Sequence, residues 1–532
     1  MQTVTGRPAT PRDPTSSSHP ASTSTAWIIL LLVFLVRIPF LLIHHIQEDA
    51  YITFRTARHL AEQGDFSFNL HQHFPGTTSL LYPLVVAALD LVLHSRMVLG
   101  VQLLGTLCVA GACYLAARSL VEDNTQRLTV WLLSACWPVS LLVSYEGMET
   151  PLLLLALGAA IYALARKAHP ALFAASMLAL PLIRPDALAY GIVFCAAMLM
   201  VDRWEAVRGS SALALGCALL LLGNRIISGQ FLPATARAKE IAYHPSHAPA
   251  AVMARLWDVF FHQSFLLPVA TSYLTRLGPV MLVIVLAAFV LAFRQAATRR
   301  KRVLLAALAL LTVAVPAAYA AGGVLFDWYF YPAAWMALTV VIAVGVHLLA
   351  AVRWRRTAWV SVWVLVAMVW TGLAGLQWAR ALAASTQDYH YRADIGRYLR
   401  EISHGQGTLF LEPAGYIPYF SGLRTDDEVG LVSNRITHYM LRDPSDWWIS
   451  YVEAERPDYI VQREGFAHFE TFEGYTLTPS EQRWFQEHYR LLRRVHYNPS
   501  LYHPSPYLQR ILALGPMSDY LIYERRDLPP PR

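Results

Sequence analysis

The run "TSLLYPLVVAALDLVLH", Thr78 to His94, decides how this chain is threaded. It is apolar enough to suggest a membrane span, yet it is short, has Pro83 in its first turns and carries Asp90 and His94. Read as a span, it inverts the orientation of everything after it. Charge settles the reading. If the run does not cross and the N-terminus is cytoplasmic, the basic clusters beside the later apolar segments fall on one side. These are Arg118 with Arg127, Arg166 with Lys167, Arg203 with Arg208, Arg294 with Arg299 to Arg302, and Arg353, Arg355 and Arg356. Lys and Arg are retained on the cytoplasmic side of membranes, so the run is read as a helix on the outer surface.

The composition agrees with a membrane protein. The 532 residues are 55% hydrophobic and 15% charged, with a mean hydropathy of +0.38. A soluble chain of this size could not solvate so much apolar surface. The net charge of +7 sits in short clusters between apolar runs, which argues against a nucleic-acid partner. Apolar segments begin near Trp27, Met97, Leu128, Thr150, Ala171, Ala187, Ser211, Leu277, Val303, Ala333 and Thr357. They predict about eleven spans, an inside N-terminus and an outside C-terminus. Residues 1–25, rich in Ser, Thr and Pro, are expected to form a disordered cytoplasmic tail. Trp27 to Ile46 is too long for a signal-peptide core and reads as a retained first span. Cys108, Cys113, Cys136, Cys195 and Cys217 lie inside spans without metal-ligand spacing and read as packing residues.

The membrane region is thus residues 26–380, and residues 381–532 have ordinary soluble composition. There Asp394–Ile402 reads as an amphipathic helix and Thr408–Leu411, Arg456–Val461 and Tyr520–Arg525 as strands. Gly415–Gly422 reads as a turn-rich link. The expectation is a small extracytoplasmic α/β domain of ordinary size.

Polar residues concentrate in the outward segments. Glu48 and Asp49 follow the first span, with Arg55 and Arg58 on one helical face beyond them. Two readings compete here: a partly desolvated carboxylate suited to proton abstraction beside phosphate-binding arginines, or acids that mark the membrane exit and arginines that balance them. Arg37, inside the first span, is expected to pair with an outward acid or to snorkel. Glu146 and Glu149 flank Gly147-Met148 in a turn too short to need two acids. Arg184 and Asp186 bracket Pro185, as a substrate site or as a structural pair. Arg237 and Lys239 could hold an anion or snorkel. Asp327 precedes Trp328, Tyr329, Phe330 and Tyr331, a grouping suited to sugar stacking or to an interfacial aromatic belt. Together these residues describe an extracytoplasmic pocket, entered from the lipid, for a substrate with a phosphate and a polar group.

"EDAYITFRTARHL" (48–60), "PGTTSLLYPL" (75–84), "YEGMETPLLLLAL" (145–157), "LIRPDAL" (182–188), "FLPATARAK" (231–239) and "FDWYFYPA" (326–333) occur in that order. Each is short; their order is the specific signal. In it the chain resembles the GT-C class of polytopic glycosyltransferases, and within that class the bacterial arabinofuranosyltransferase-like branch. The resemblance spans the membrane region and the C-terminal domain. It implies transfer of a sugar from a polyprenyl-phosphate carrier to a glycan, lipid or protein acceptor outside the bacterial cytoplasmic membrane. It further implies that Asp49, with Glu48 beside it, carries the catalytic carboxylate, and that Arg237 and Lys239 hold the carrier phosphate. Arg55 would help to hold that phosphate, and Glu146, Glu149, Arg184, Asp186, Asp327 and Tyr331 would bind the sugar or acceptor.

The chain departs from that branch in two places. It has Glu48-Asp49 where an aspartate pair is usual, and Gly76-Thr77-Thr78-Ser79 where Gly-Tyr-Thr-Asn/Ser is usual. The second departure leaves the sugar unassigned. The lipid phosphate is itself the activated donor, so no nucleotide cofactor is implied; the many acids leave room for a divalent metal, but no ligand spacing supports one. A lipid-linked sugar flippase would instead favour mid-bilayer charges and an internal repeat, which the chain lacks. A non-catalytic membrane scaffold would put its function in residues 385–532.

Overall fold

The computed structural model describes residues 23–167, 169–243, 245–262, 277–323, 325–352, 356–464, 477–497 and 518–528. The N-terminal tail expected over residues 1–25 lies almost wholly outside them, as do Arg353 and Arg355.

Among the described residues, the regular structure of the membrane region is all helical. Its helices are α1 (Thr23–Leu41), α2 (Glu48–Gln63), α3 (Leu81–Leu93), α4 (Met97–Leu120), α5 (Asn124–Ala135), α6 (Pro138–Tyr145), α7 (Thr150–Arg166) and α8 (Pro170–Ile183). They continue as α9 (Leu188–Leu199), α10 (Arg203–Ser228), α11 (Ala234–Tyr243), α12 (Pro249–Trp257), α13 (Gly278–Gln295), α14 (Arg299–Gly322), α15 (Asp327–Ala351) and α16 (Arg356–Ser385). Among the described residues, 7 helical runs are long and apolar enough to cross a membrane, and α5 with α6 form a further pair bent by 55°. α7, α8 and the run Pro185–Leu199 are shorter apolar helices.

The opening stretch becomes α3, whose 13 residues extend about 20 Å, too little for a hydrocarbon core of about 30 Å. At His94 the backbone enters the left-handed region with φ 46° and breaks the helix. A Cβ at Gly100 would lie 2.3 Å from Leu93 Cδ1 and 3.8 Å from Leu89 Cδ2, so α3 folds back along the start of α4. Tyr82, Val86 and Ala87 of α3 pack with Tyr51 and Phe54 of α2, and α3 thereby becomes part of the floor on which α2 rests.

The break between α5 and α6 corrects the reading of Arg37. Pro138 has no N–H, and the chain turns sharply there, leaving carbonyls without helical donors. Arg37, only 1% exposed, supplies them. It donates to the carbonyls of Ala135 (2.7 Å), Ser140 (3.2 Å) and Val33 (2.9 Å) and to Ser144 Oγ (2.8 Å). It neither snorkels nor pairs with an acid among the described residues, because the broken helix already supplies acceptors. The described cysteines are free; four are buried and Cys217 is half-buried.

The C-terminal region holds α17 (Ala393–Ser403), β1 (Thr408–Leu411), α18 (Tyr416–Ser421), β2 (Arg424–Asp427), α19 (Arg435–Arg442), α20 (Trp447–Glu455), β3 (Tyr459–Arg463), α21 (Pro479–His488), β4 (Tyr489–Val495) and β5 (Tyr520–Arg525). The five strands form one sheet in the order β2-β1-β3-β5-β4, parallel over the first three and antiparallel over the last three. Gly415–Gly422, expected as a link, forms α18, stopped by Gly422 in the left-handed conformation. β2, "RTDD", has no strand-like composition and is held by pairing with β1, Thr408 opposite Arg424 through Leu411 opposite Asp427.

Arg37→Met should lower the stability of the detergent-solubilised protein by about 2–4 kcal/mol, because several buried carbonyls lose their donor at once. Arg37→Lys should recover only part of this, since one ammonium cannot reach all four acceptors. An unchanged Tm for Arg37→Met would refute this role.

Candidate active site

α2 begins immediately after Gln47, whose N–H donates to the Glu146 carbonyl at 2.9 Å. That bond ties the start of α2 to the turn between α6 and α7. Gly147 in this turn has φ 79°, and a Cβ there would meet Phe54 Cζ at 2.9 Å. Tyr82 Oη donates to the Gly147 carbonyl at 2.6 Å and closes the contact from α3. Two acids in the first turn of α2 also suit the positive end of the helix.

The adjacent acids then diverge. Glu48 turns to the C-terminal domain: its carboxylate accepts from the N–H groups of Gly415 (2.7 Å) and Tyr416 (3.0 Å) and from Arg392 Nη1 (2.8 Å). Asp49 turns to a cavity of about 340 Å³ at one end of the bundle. Burial lifts the Asp49 carboxyl above the usual aspartate range; Lys239 pulls it down and Glu48 pushes it up. Its carboxylate makes no hydrogen bond among the described residues, which leaves it available to a substrate.

Asp49, Glu149, Arg184, Asp186 and Lys239, from four separate stretches of sequence, line this one cavity. Arg184 Nε and Nη2 grip Asp186 at 3.0 and 2.8 Å, Nη2 also donates to Tyr319 Oη at 3.1 Å, and Glu149 lies 3.7 Å from Nε. Tyr319 in turn donates to Asp186. Arg184 is 3% exposed, yet its Nη1 has no hydrogen-bond partner among the described residues. Burial raises the Glu149 carboxyl, Arg184 opposing and Asp186 and Asp49 reinforcing the shift.

The other cation comes from α11. Lys239 donates to Tyr329 Oη at 3.1 Å and sits 4.8 Å from the Phe326 ring centroid, a cation–π contact. Thr235, one turn earlier on the same face, also lines the cavity, and its buried Oγ1 has no hydrogen-bond partner among the described residues. Tyr329 stacks on Tyr319 with centroids 4.4 Å apart, and Trp328 completes the aromatic wall. Among the described residues the site therefore presents a carboxylate without a hydrogen bond or ion pair, two cations, two buried donors without partners and a flat aromatic surface.

Other sequence candidates lie elsewhere. Arg55 is buried and donates to the carbonyls of Phe68 (2.9 Å), Pro418 (2.6 Å) and Leu423 (2.7 Å), so its guanidinium joins protein segments. Arg237, two residues from Lys239 and so on the opposite side of α11, lines a groove with Asn434, Thr437 and His438 of the α19 region. Glu146 is buried beneath the α2 junction, its carboxyl pushed up to about 8 by burial, against Arg380 and with Asp327 adding to the rise. Asp327 stands 3.8 Å from Arg380 outside the cavity. Tyr331 is buried in the bundle core, one turn deeper than the aromatic wall. Sequence reasoning passed over Thr235 and Tyr319. The first was recoverable, being four residues before Lys239 on one helical face; a lone tyrosine in an apolar run has no local signal. A larger cavity, about 490 Å³, lies at the far end of α4 around Glu122, Asp123 and Lys301 and contains none of these motifs. No cluster of three His, Cys, Asp or Glu side chains with metal-binding geometry occurs among the described residues.

A domain family described as one of unknown function, DUF8728, matches residues 380–511. No curated protein matches the chain. Among solved structures it is similar to ArnT from Cupriavidus metallidurans bound to undecaprenyl phosphate, at 10% identity and a TM-score of 0.58, covering 94% of this chain and 98% of that one. ArnT in the apo state gives 12% identity and 0.54 over the same shares. The Archaeoglobus fulgidus oligosaccharyltransferase tethered to an acceptor peptide gives 12% identity and 0.55, covering 90% of this chain and 73% of that one. Both proteins are GT-C glycosyltransferases, and the likeness is one of fold: this chain is a multi-pass helical protein with the GT-C fold and a small C-terminal sheet domain.

The Glu146 shift yields a stability test. A carboxyl raised from 4.5 to about 8 on folding contributes fully below about pH 4.5, and that contribution is lost as pH rises through about 8. Glu146→Gln should therefore raise Tm at about pH 9 and leave it near the parent value at about pH 5. The same Tm difference at both pH values would contradict the shift.

Proposed function

We propose that this protein is a membrane glycosyltransferase that moves a sugar from a polyprenyl-phosphate carrier to an acceptor outside the bacterial cytoplasmic membrane. The observation that carries this reading is the placement of an uncommitted, burial-raised Asp49 carboxylate in one cavity with Lys239 and Arg184. The GT-C fold supports the reaction class, and the bound undecaprenyl phosphate of the similar ArnT structure supports the carrier. The one-sided distribution of basic clusters supports an extracytoplasmic cavity and C-terminal domain. The order of the sequence motifs supports the arabinofuranosyltransferase-like branch.

In the proposed mechanism Asp49 accepts the proton of the acceptor hydroxyl as that oxygen attacks the anomeric carbon. The bond between that carbon and the phosphate oxygen breaks, and the electron pair leaves with the polyprenyl phosphate. Lys239, Arg184 Nη1 and Thr235 Oγ1 stabilise the phosphate as its charge grows, which is where preorganised donors lower a barrier most. Asp186 and Glu149 fix the Arg184 fork, and Trp328 and Tyr329 offer a stacking face to the sugar. Direct displacement inverts the anomeric centre. The acceptor enters from the side bounded by Leu431 of the C-terminal domain.

Asp49→Asn should reduce transfer by roughly 10²–10⁴-fold with unchanged membrane insertion, the range expected for losing a general base. The readout is composition and linkage analysis of surface glycans from a deletion strain carrying either version; restoration by the Asn variant would refute the role of Asp49. Because the base must be ionised, kcat/KM should fall as pH drops through the raised Asp49 pKa, above the ordinary value of about 3.9. Thr235→Val should weaken undecaprenyl phosphate binding by about 10-fold, with Thr235→Ser restoring it; equal affinity in all three proteins would remove Thr235 from the phosphate site.

A further inference from the structure

The C-terminal domain grips the residue next to the proposed base. Of the two acids that open α2, Glu48 has its carboxylate enclosed by three donors, all contributed by residues of the 380–511 match: Arg392 Nη1 and the N–H groups of Gly415 and Tyr416. The fit allows no slack. A Cβ at Gly415 would lie 2.1 Å from the Glu48 carbonyl oxygen and 2.7 Å from its Oε1, so only glycine permits this approach. Tyr416 Oη adds a bond to the Ile46 carbonyl at 2.8 Å, and its ring packs on Tyr51 at 4.2 Å between centroids. The first turn of α2 is thus held at Glu48, and the α-carbon of Asp49 is one residue from the held point.

We infer that Arg392, Gly415 and Glu48 form a clamp through which the C-terminal domain positions the Asp49 carboxylate in the cavity. The domain of unknown function thereby acquires a role in catalysis without touching the reacting atoms, and these three are positioning residues. The inference rests on the reading of Asp49 as the base. A first helical turn is where backbone hydrogen bonds are fewest and fraying is easiest, so an external clamp has most effect there. Placing a reacting carboxylate even about 1 Å wrong is costly, which gives the clamp its leverage on rate.

The clamp also sets the electrostatics. Glu48 on its own helix raises the Asp49 carboxyl and Lys239 on α11 lowers it, while Asp49 in turn acts on Glu149 in the α6–α7 turn and on Tyr243 of α11. Arg392 pairs with Glu48 from the domain at 2.8 Å, and the Glu48 charge in turn raises the buried Glu412 carboxyl that follows β1. Glu48 in the clamped position opposes ionisation of Asp49, so loosening or neutralising it alters the proton affinity of Asp49 as well as its position.

The test uses the full-length protein in lipid nanodiscs and dicyclohexylcarbodiimide, which modifies protonated carboxyls in apolar surroundings. Labelling of each carboxyl against pH is read by peptide mass spectrometry. In the parent, Asp49 should label with a midpoint above the usual aspartate range, and Glu48 should be protected by its three donors. Glu48→Gln should move the Asp49 midpoint down by roughly half a pH unit or more. Arg392→Gln should open Glu48 to labelling, and Arg392→Lys should keep it protected. In the deletion strain, Arg392→Gln and Gly415→Ala should restore surface glycans several-fold less well than the parent at equal protein level, with Arg392→Lys close to it. An unmoved Asp49 midpoint in Glu48→Gln overturns the inference, as does full glycan restoration by Arg392→Gln. If Gly415→Ala fails to accumulate, the labelling of Glu48→Gln and the Arg392 pair still decides. Full restoration by Asp49→Asn with these labelling shifts intact would instead refute the catalytic reading and leave the clamp standing.

Discussion

A guanidinium cannot be left unsatisfied away from water, and Arg55 finds its acceptors only where three separate segments meet. One carbonyl comes from Phe68 in the loop after α2, and two come from Pro418 and Leu423 around α18. Beside it Asn69 acts as a stand-in for a strand neighbour: its amide donates to the Thr425 carbonyl at 2.7 Å and its oxygen accepts from the Thr425 N–H at 2.9 Å, along the free edge of β2. That pairing covers an edge that would otherwise expose backbone groups. The C-terminal domain is therefore built into the membrane region by buried polar bonds. Its Leu431 reaches the cavity wall, and Val432 packs near Gly76 on the cavity floor.

The cavity follows the same rule with a different outcome. Arg184 is held by Asp186, Glu149 and Tyr319, so the charges that shape the site largely neutralise one another. Among the described residues Asp49 makes neither a hydrogen bond nor an ion pair, and Arg184 Nη1 and Thr235 Oγ1 are donors left without partners. Buried groups of this kind cost stability, and they persist where a substrate completes them. Two neighbouring carboxylates on one helical turn thus take unlike tasks, because successive helical residues point about 100° apart and one meets the domain while the other meets the cavity.

Some of this was legible in the residues. The one-sided distribution of Lys and Arg led to reading Thr78–His94 as a surface helix, and the structure makes it a helix of 13 residues, broken at His94 from α4. The motifs around Asp49, Glu149, Arg184 and Lys239 carried the polar residues that meet in the cavity. β1 was visible because a short apolar run flanked by turn residues is a local property, and the same holds for β5. The charged strand "RTDD" was not, because only its pairing with β1 makes it a strand. Arg37 was misread for a related reason: its acceptors lie about a hundred residues away, at a helix break marked only by Pro138.

The sequence by itself determined the apolar segments, the basic clusters between them and the small set of polar residues placed at one end of the bundle. The apolar segments are a consequence of transfer free energy, which acts on local composition. Tertiary structure alone decided which of those residues face the cavity. Lys239 and Arg237 are two positions apart on α11, and helical geometry sends them to opposite sides; packing against α15 and α19 determined that the lysine shares a cavity with Asp49 and the arginine does not. Glu48 and Asp49 were likewise equivalent in the chain, and became different only when Arg392 and Gly415, more than three hundred residues away, closed on one of them.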